Sequence, residues 1–140
     1  IHFADTPPGQ AKYVSVARGA GIDFIVDIRV GSPTFGTGDS VLLDADSRRS
    51  VFISEGLGHA FAALTDDATL TYLVSSTYNP AAEHDLNILD PDIGLVFPSE
   101  LGEPVLSPKD LAAPSLAELL ASGGLPDYAA LRAYYAKATA

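Results

Sequence analysis

The strongest constraint on this chain is its punctuation. Short apolar or alternating runs are broken at close intervals by turn-forming residues: Thr6-Pro7-Pro8-Gly9, Gly19-Ala20-Gly21, the loop 31–38, the acidic turn 44–49, Glu55-Gly56-Leu57-Gly58 and Thr65-Asp66-Asp67. No helix of ordinary length fits between such breaks, so the first half must be built from short strands. Residues 11–18 alternate, with Lys12, Val14, Val16 and Arg18 on one face. In 22–30, Ile22, Phe24, Val26, Ile28 and Val30 make one apolar face, and Asp23, Ile25, Asp27 and Arg29 occupy the other. Further strands are predicted over 40–43, 51–53, 59–64 and 68–75. The pattern is that of an all-β sandwich or barrel.

After Asn79-Pro80 the periodicity stops. Residues 81–106, rich in proline, aspartate and glycine, are predicted to wrap irregularly around the outside. Ser115 and Glu118 have capping-box spacing, which starts a helix that ends at Gly123-Gly124. A second helix is predicted from about Asp127 through Tyr134 and Tyr135 to the end of the chain. Helices that follow the strands, instead of alternating with them, argue against a doubly wound α/β fold.

At 140 residues the chain has enough material for one core, and a single domain over 1–140 is expected. No apolar run approaches the roughly 20 residues of a spanning helix, and no basic-then-apolar leader is present, so a soluble, cytoplasmic protein is expected with no membrane partner. Eight Lys and Arg against 18 Asp and Glu give a net charge of −10, a surface that repels nucleic acid. Basic residues are scarce, which makes Lys12, Arg29 and Lys109 informative wherever they approach a site. Cysteine is absent, excluding disulfides and thiolate metal sites. No His-x-His pair occurs, and Glu83 and His84, being adjacent, diverge on an extended chain, so no metal site is expected.

Individually, the polar residues have ordinary explanations. His2 beside Phe3 fits a frayed terminus, His59 a hydrogen-bonded core histidine, Tyr72 a packed strand residue, Lys12 a solvated charge and Asp110 a loop residue.

Their sequence context adds more. Ile1-His2-Phe3, Pro7-Pro8-Gly9-Gln10-Ala11-Lys12-Tyr13-Val14 and Val26-Asp27-Ile28-Arg29-Val30-Gly31-Ser32-Pro33-Thr34-Phe35-Gly36 closely resemble the dTDP-4-dehydrorhamnose 3,5-epimerase family. The resemblance continues through Ser54-Glu55-Gly56-Leu57-Gly58-His59-Ala60-Phe61, Tyr78-Asn79-Pro80-Ala81-Ala82-Glu83-His84, Leu89-Asp90-Pro91-Asp92-Ile93-Gly94-Leu95 and Leu106-Ser107-Pro108-Lys109-Asp110. It implies a cupin-type jelly-roll β-barrel with two short C-terminal helices, a homodimer, and a domain whose N-terminal part lies outside these 140 residues. It also implies cofactor-independent epimerisation of a dTDP-4-keto-6-deoxy sugar. By the same resemblance, His2 is the base, Asp110 orients it, Lys12 stabilises the enolate and binds substrate, and Tyr72 is the acid. His59, Glu83 and Lys109 match substrate-binding positions.

The set is chemically coherent. A carbon acid beside a ketone needs its developing oxyanion stabilised, and inversion needs proton acceptor and donor on opposite faces of the ring. The rival readings are a single-carbon epimerase of the same fold, a non-catalytic sugar-nucleotide-binding barrel and, more distantly, a metal-dependent oxygenase.

Overall fold

A computed structural model describes residues 1–138. Among them, eight strands form two antiparallel sheets, of five and three strands. They are β1 (His2–Ala4), β2 (Lys12–Arg18), β3 (Ala20–Asp27), β4 (Gly38–Asp44), β5 (Ser50–Ile53), β6 (Leu57–Ala63), β7 (Thr69–Val74) and β8 (Glu83–Asp85). The larger sheet runs β4-β3-β6-β1-β8 and the smaller β5-β2-β7. Early strands pair with late ones, β1 with β8, β2 with β7 and β3 with β6, so the chain doubles back on itself.

The alternation predicted for 11–18 is found in β2. Val14 and Val16 are buried and join Leu43 and Ile53 in a core between the sheets, with Ile25 and Phe61 packed against it. The apolar face of β3 packs elsewhere. Val26 and Ile28 lie on the outer side of the larger sheet with Phe3, Leu86, Ile88, Ile93 and Leu116, and Phe24 meets Phe97 with ring centroids 5.3 Å apart. The segment 86–106 thus covers this sheet, as its position outside the strands predicts. Each fully buried side chain of this size stabilises by about 1.5–3 kcal/mol.

Several expectations are corrected. Among the described residues the sheets are open, and no closed barrel forms. Within the stretch expected to be irregular, Glu83–Asp85 is a strand, because its backbone completes the edge of β1. Among the described residues there are three α-helices instead of two: α1 (Pro108–Leu111), α2 (Leu116–Ser122) and α3 (Tyr128–Ala138). The additional single turn, α1, is capped by the Ser107 hydroxyl on the Asp110 N–H and has Pro108 at its first position, so Asp110 is helical. The predicted capping box of α2 is present, with Ser115 and Glu118 reciprocally bonded. The predicted last turn of α3, through residues 139 and 140, lies outside the described residues. No helix among the described residues is long and apolar enough to cross a membrane.

β3 stops at Asp27, short of the Val30 expected, because Asp27 gathers the loop that follows. Its carboxylate accepts from the Arg29 N–H at 3.1 Å, from Arg29 Nε and a terminal guanidinium nitrogen at 2.8 Å each, from Ser32 Oγ at 2.5 Å and from Thr34 Oγ1 at 2.6 Å. Burial opposes the charge, but the Arg29, Ser32 and Thr34 donors outweigh it and hold this carboxyl well below the usual range. Arg29 also lies over the Tyr128 ring, 5.2 Å from its centroid, and so ties α3 to the sheet. Gly56, at φ +82°, lets α3 approach: a Cβ there would stand 2.5 Å from Leu131 Cδ1. Asp27→Asn is expected to lower the unfolding free energy by about 2–3 kcal/mol, measured as a lower urea midpoint, because the new amide offers donors where donors already converge. With the folded carboxyl depressed, the native contribution is present above the ordinary carboxylate range and fades only as pH falls below it. An unchanged midpoint at pH 7 would show that the cluster carries no stability.

Candidate active site

Register decides which side chains meet. In the larger sheet, His2 pairs directly with His59 on β6 and with Asp85 on β8, placing all three on one face. In the smaller sheet, Tyr72 pairs with Val14, whose side chain points into the core between the sheets, and Lys12 shares that face two residues away. A cavity of about 370 Å³ results, lined from both sheets. His2, Lys12, His59, Tyr72, Glu83 and Asp110 all line it, with Phe61 and Leu70 giving it apolar wall. Its size is within the range of small-ligand pockets.

His2 is not a frayed terminus. It is paired on both sides in β1, and its Nε2 lies 3.0 Å from Asp110 Oδ1. A neutral ring donating Nε2–H to that carboxylate carries its lone pair on Nδ1. Asp110 is in turn fixed by Ser107 Oγ, which donates to Oδ2 at 2.6 Å. Ser107 first, and His2 second, lower the Asp110 carboxyl below its usual range, so it faces the ring as an anion.

Lys12 is only partly exposed. Burial lowers its ammonium below the ordinary lysine value, against the opposing pull of the Glu83 carboxylate. Tyr72 is 52% exposed at the cavity lining, not packed away. His59 Nε2 is hydrogen-bonded to Asp23 Oδ1, so the core-histidine explanation holds for its ring even though the residue lines the cavity.

Lys109 stands beside the cavity, its ammonium 2.9 Å from Asp85 Oδ1, and this contact first of all raises it above the ordinary lysine value. Arg29 is committed to Asp27 and Tyr128, away from the cavity. As adjacency on an extended strand predicts, Glu83 and His84 part: His84 turns to Asp5 at 2.6 Å and to the Phe3 ring.

Sequence reasoning missed Gln10 and Tyr78, which also line the cavity, and the carboxylates Asp23 and Asp85 behind and beside the histidines. For Asp23 the only signal was its place in the charged face of β3, beside Ile25 and Asp27; for Asp85 only the β1–β8 register reveals the contact. Among the described residues, His2, Asp85 and Asp110 have donor atoms within 4.8 Å of one another, close enough to share a cation. The Lys109 ammonium already neutralises Asp85, and the short contacts are those of a hydrogen-bonded set.

The arrangement places an imidazole, backed by a carboxylate, on one sheet, and an ammonium and a phenol on the facing sheet. It can remove a proton, hold a developing oxyanion and return a proton from another side.

Comparison with known proteins shows the family. A family model described as dTDP-4-dehydrorhamnose 3,5-epimerase matches residues 1–118. The chain is 55% identical over 134 residues to a dTDP-4-dehydrorhamnose 3,5-epimerase of Mycolicibacterium smegmatis, covering 96% of this chain and 65% of that protein. It is 53% identical over 133 residues to a dTDP-4-dehydrorhamnose 3-epimerase of Streptomyces niveus, covering 95% and 63%. A crystal structure of a 3'-monoepimerase from Streptomyces bikiniensis in complex with dTDP-quinovose superposes with a TM-score of 0.91 at 51% identity, covering 96% of this chain and 67% of that one. The chain therefore spans less than two thirds of the length of these two sequence relatives.

Proposed function

Because the chain belongs to the dTDP-4-dehydrorhamnose 3,5-epimerase family, we propose that this cavity performs cofactor-independent epimerisation of a dTDP-4-keto-6-deoxy sugar at C3 and C5. The observation that carries the reading is the division of groups between facing sheets: His2 with Asp110 on one side, Lys12 and Tyr72 on the other, all lining one cavity.

The geometry supports the following steps. His2 Nδ1 takes the proton from the carbon beside the C4 ketone, and the C–H electrons move into the ring to leave an enolate on the C4 oxygen. Asp110 stabilises the imidazolium as it forms. Lys12 meets the charge on oxygen, where stabilisation acts only as the enolate develops. Tyr72 O–H protonates the carbon from the opposite face. His2 and Tyr72 then regain their starting protonation by exchange with solvent, so the sugar inverts without any redox change. His59, Glu83 and Lys109 are proposed substrate contacts.

Two structural proposals accompany this. The pairing of β1 with β8, β2 with β7 and β3 with β6 supports one domain of the cupin jelly-roll type. The outer face of the smaller sheet presents the exposed row Phe52, Tyr13 and Leu73, directly paired across three strands, and this apolar surface supports a homodimer.

A second reading, inversion at one carbon only, is favoured by the nearly equal identity to a 3,5-epimerase and to a 3-epimerase. Proton NMR of dTDP-4-keto-6-deoxyglucose with the protein in deuterated water separates them. Deuterium at C3 and C5 supports the double epimerase and deuterium at one carbon the second reading. Binding without deuterium would leave only a sugar-nucleotide-binding barrel.

Tyr72→Phe keeps the ring and removes the hydroxyl. It is expected to slow completed inversion at least about tenfold more than deuterium exchange, because exchange needs proton removal and enolate stabilisation but no donor on the opposite face. Equal loss of both would rule out a separate acid.

A further inference from the structure

His2 has a second acidic neighbour that the proposed mechanism does not use. Asp85 Oδ1 lies 3.4 Å from His2 Nε2, on the same side of the ring as Asp110 Oδ1 at 3.0 Å. The two carboxylates come from different elements, β8 and α1, and the direct cross-strand register of His2 with Asp85 fixes the approach. Both side chains are sheltered relative to His2, with 20% and 27% of their surfaces exposed. The same Asp85 oxygen accepts from Lys109 Nζ at 2.9 Å. One oxygen therefore touches the base and a cation.

We propose that Asp85 is a positioning residue for His2: a second carboxylate on the ring N–H side, whose charge is balanced by Lys109. This rests on the reading of His2 as the base. Nε2 has a single N–H, and Asp110, being nearer, takes it. Asp85 then acts by charge. As the ring accepts the substrate proton, an imidazolium forms between two anions, and Lys109 limits how much the second anion contributes. With Asp85 neutral, the ring is a weaker base held by Asp110 alone. With Lys109 neutral, the full Asp85 charge falls on the ring.

The other charged or titratable groups around His2 are the same in each comparison. From β6 there is His59 with Asp23 behind it, from β8 Glu83, and from α1 Asp110. Lys12, Tyr72 and Tyr78 line the same cavity. None of these is altered in the variants below, so the sign of each shift reports the charge removed, and the Asp85→Asn shift reports Asp85 itself.

The test follows the His2 ring proton by NMR through a pH titration, in the native chain, Asp85→Asn and Lys109→Gln. The signal is assigned by its loss in a His2 variant. Relative to the native chain, the midpoint is expected to fall in Asp85→Asn and to rise by a smaller amount in Lys109→Gln, both shifts being limited by solvent screening of a half-exposed ring. The acidic limb of the kcat/KM profile for exchange should move with the same signs. A purely structural role for Asp85 would change the melting temperature and leave both readouts in place. An unmoved midpoint in Asp85→Asn, or shifts of the same sign in the two variants, would overturn the proposal. Lys109→Gln changes only an exposed side chain, so it reports even where Asp85→Asn unfolds. The titration needs no turnover: exchange with an unmoved titration sinks the Asp85 link alone, whereas opposite shifts without exchange in the native chain uphold the link and sink the epimerase reading.

Discussion

His2→Ala is expected to reduce solvent-deuterium incorporation into the keto sugar by about 10²- to 10⁴-fold, the usual contribution of a positioned general base. Its melting temperature should stay within about 3 °C of the native value. The two halves of this expectation have separate causes. Chemically, the ring is the group whose Nε2 faces Asp110, and no other imidazole lining the cavity is paired with a carboxylate that a capping serine also holds. Structurally, 54% of the side chain is exposed, and the contribution of β1 to folding comes from Phe3 on the opposite face, which is 1% exposed in the outer core. Truncating His2 therefore removes little packing. Both properties are measured on one sample, exchange by NMR and melting by circular dichroism. A fall in melting temperature of more than about 10 °C, with exchange lost in proportion to folded protein, would mean that His2 is a structural residue.

The strands that frame the cavity were legible because burial on one face writes a period of two into the sequence: Val14 and Val16 in β2 and Phe24 and Val26 in β3 needed no partner to be recognised. The three-residue strand β8 was not legible on that basis, since a strand so short contains no period and exists only through its pairing. The site divides along the same line. His2, Lys12, His59, Tyr72, Glu83 and Asp110 were picked out through family resemblance, while their individual chemistry suggested solvated or packed residues. What brings them together is register between segments far apart in the chain, and that is also why Asp85 went unseen. It lies 83 positions along the chain from His2, and nothing local distinguishes it from any other aspartate in an acidic chain. The single-turn helix that presents Asp110 was missed for a related reason: four residues carry no helical periodicity, and Ser107-Pro108 is a cap only when seen with its N–H partner.

Lys12→Met, which keeps the length of the side chain and removes its charge, is expected to lower kcat for exchange by about 10²- to 10³-fold with little change in KM. The split matters because an ammonium that merely held the substrate would act equally on ground and transition states and would raise KM instead. The cation also gives the reaction an alkaline limit. Burial lowers the Lys12 ammonium below the ordinary lysine value, so the rate should fall on the alkaline side sooner than a solvated lysine would allow. Glu83 opposes that shift, and Glu83→Gln should therefore move the fall to still lower pH. Stability should respond in the opposite sense. For a basic group whose folded value is depressed, the unfolded chain binds the proton more tightly, so the charged lysine costs stability at neutral pH and that cost disappears as pH rises. Lys12→Met removes it at every pH, and its melting temperature should equal or exceed the native one. A variant that melts lower and keeps native kcat would show that Lys12 serves the fold and that the enolate is stabilised elsewhere.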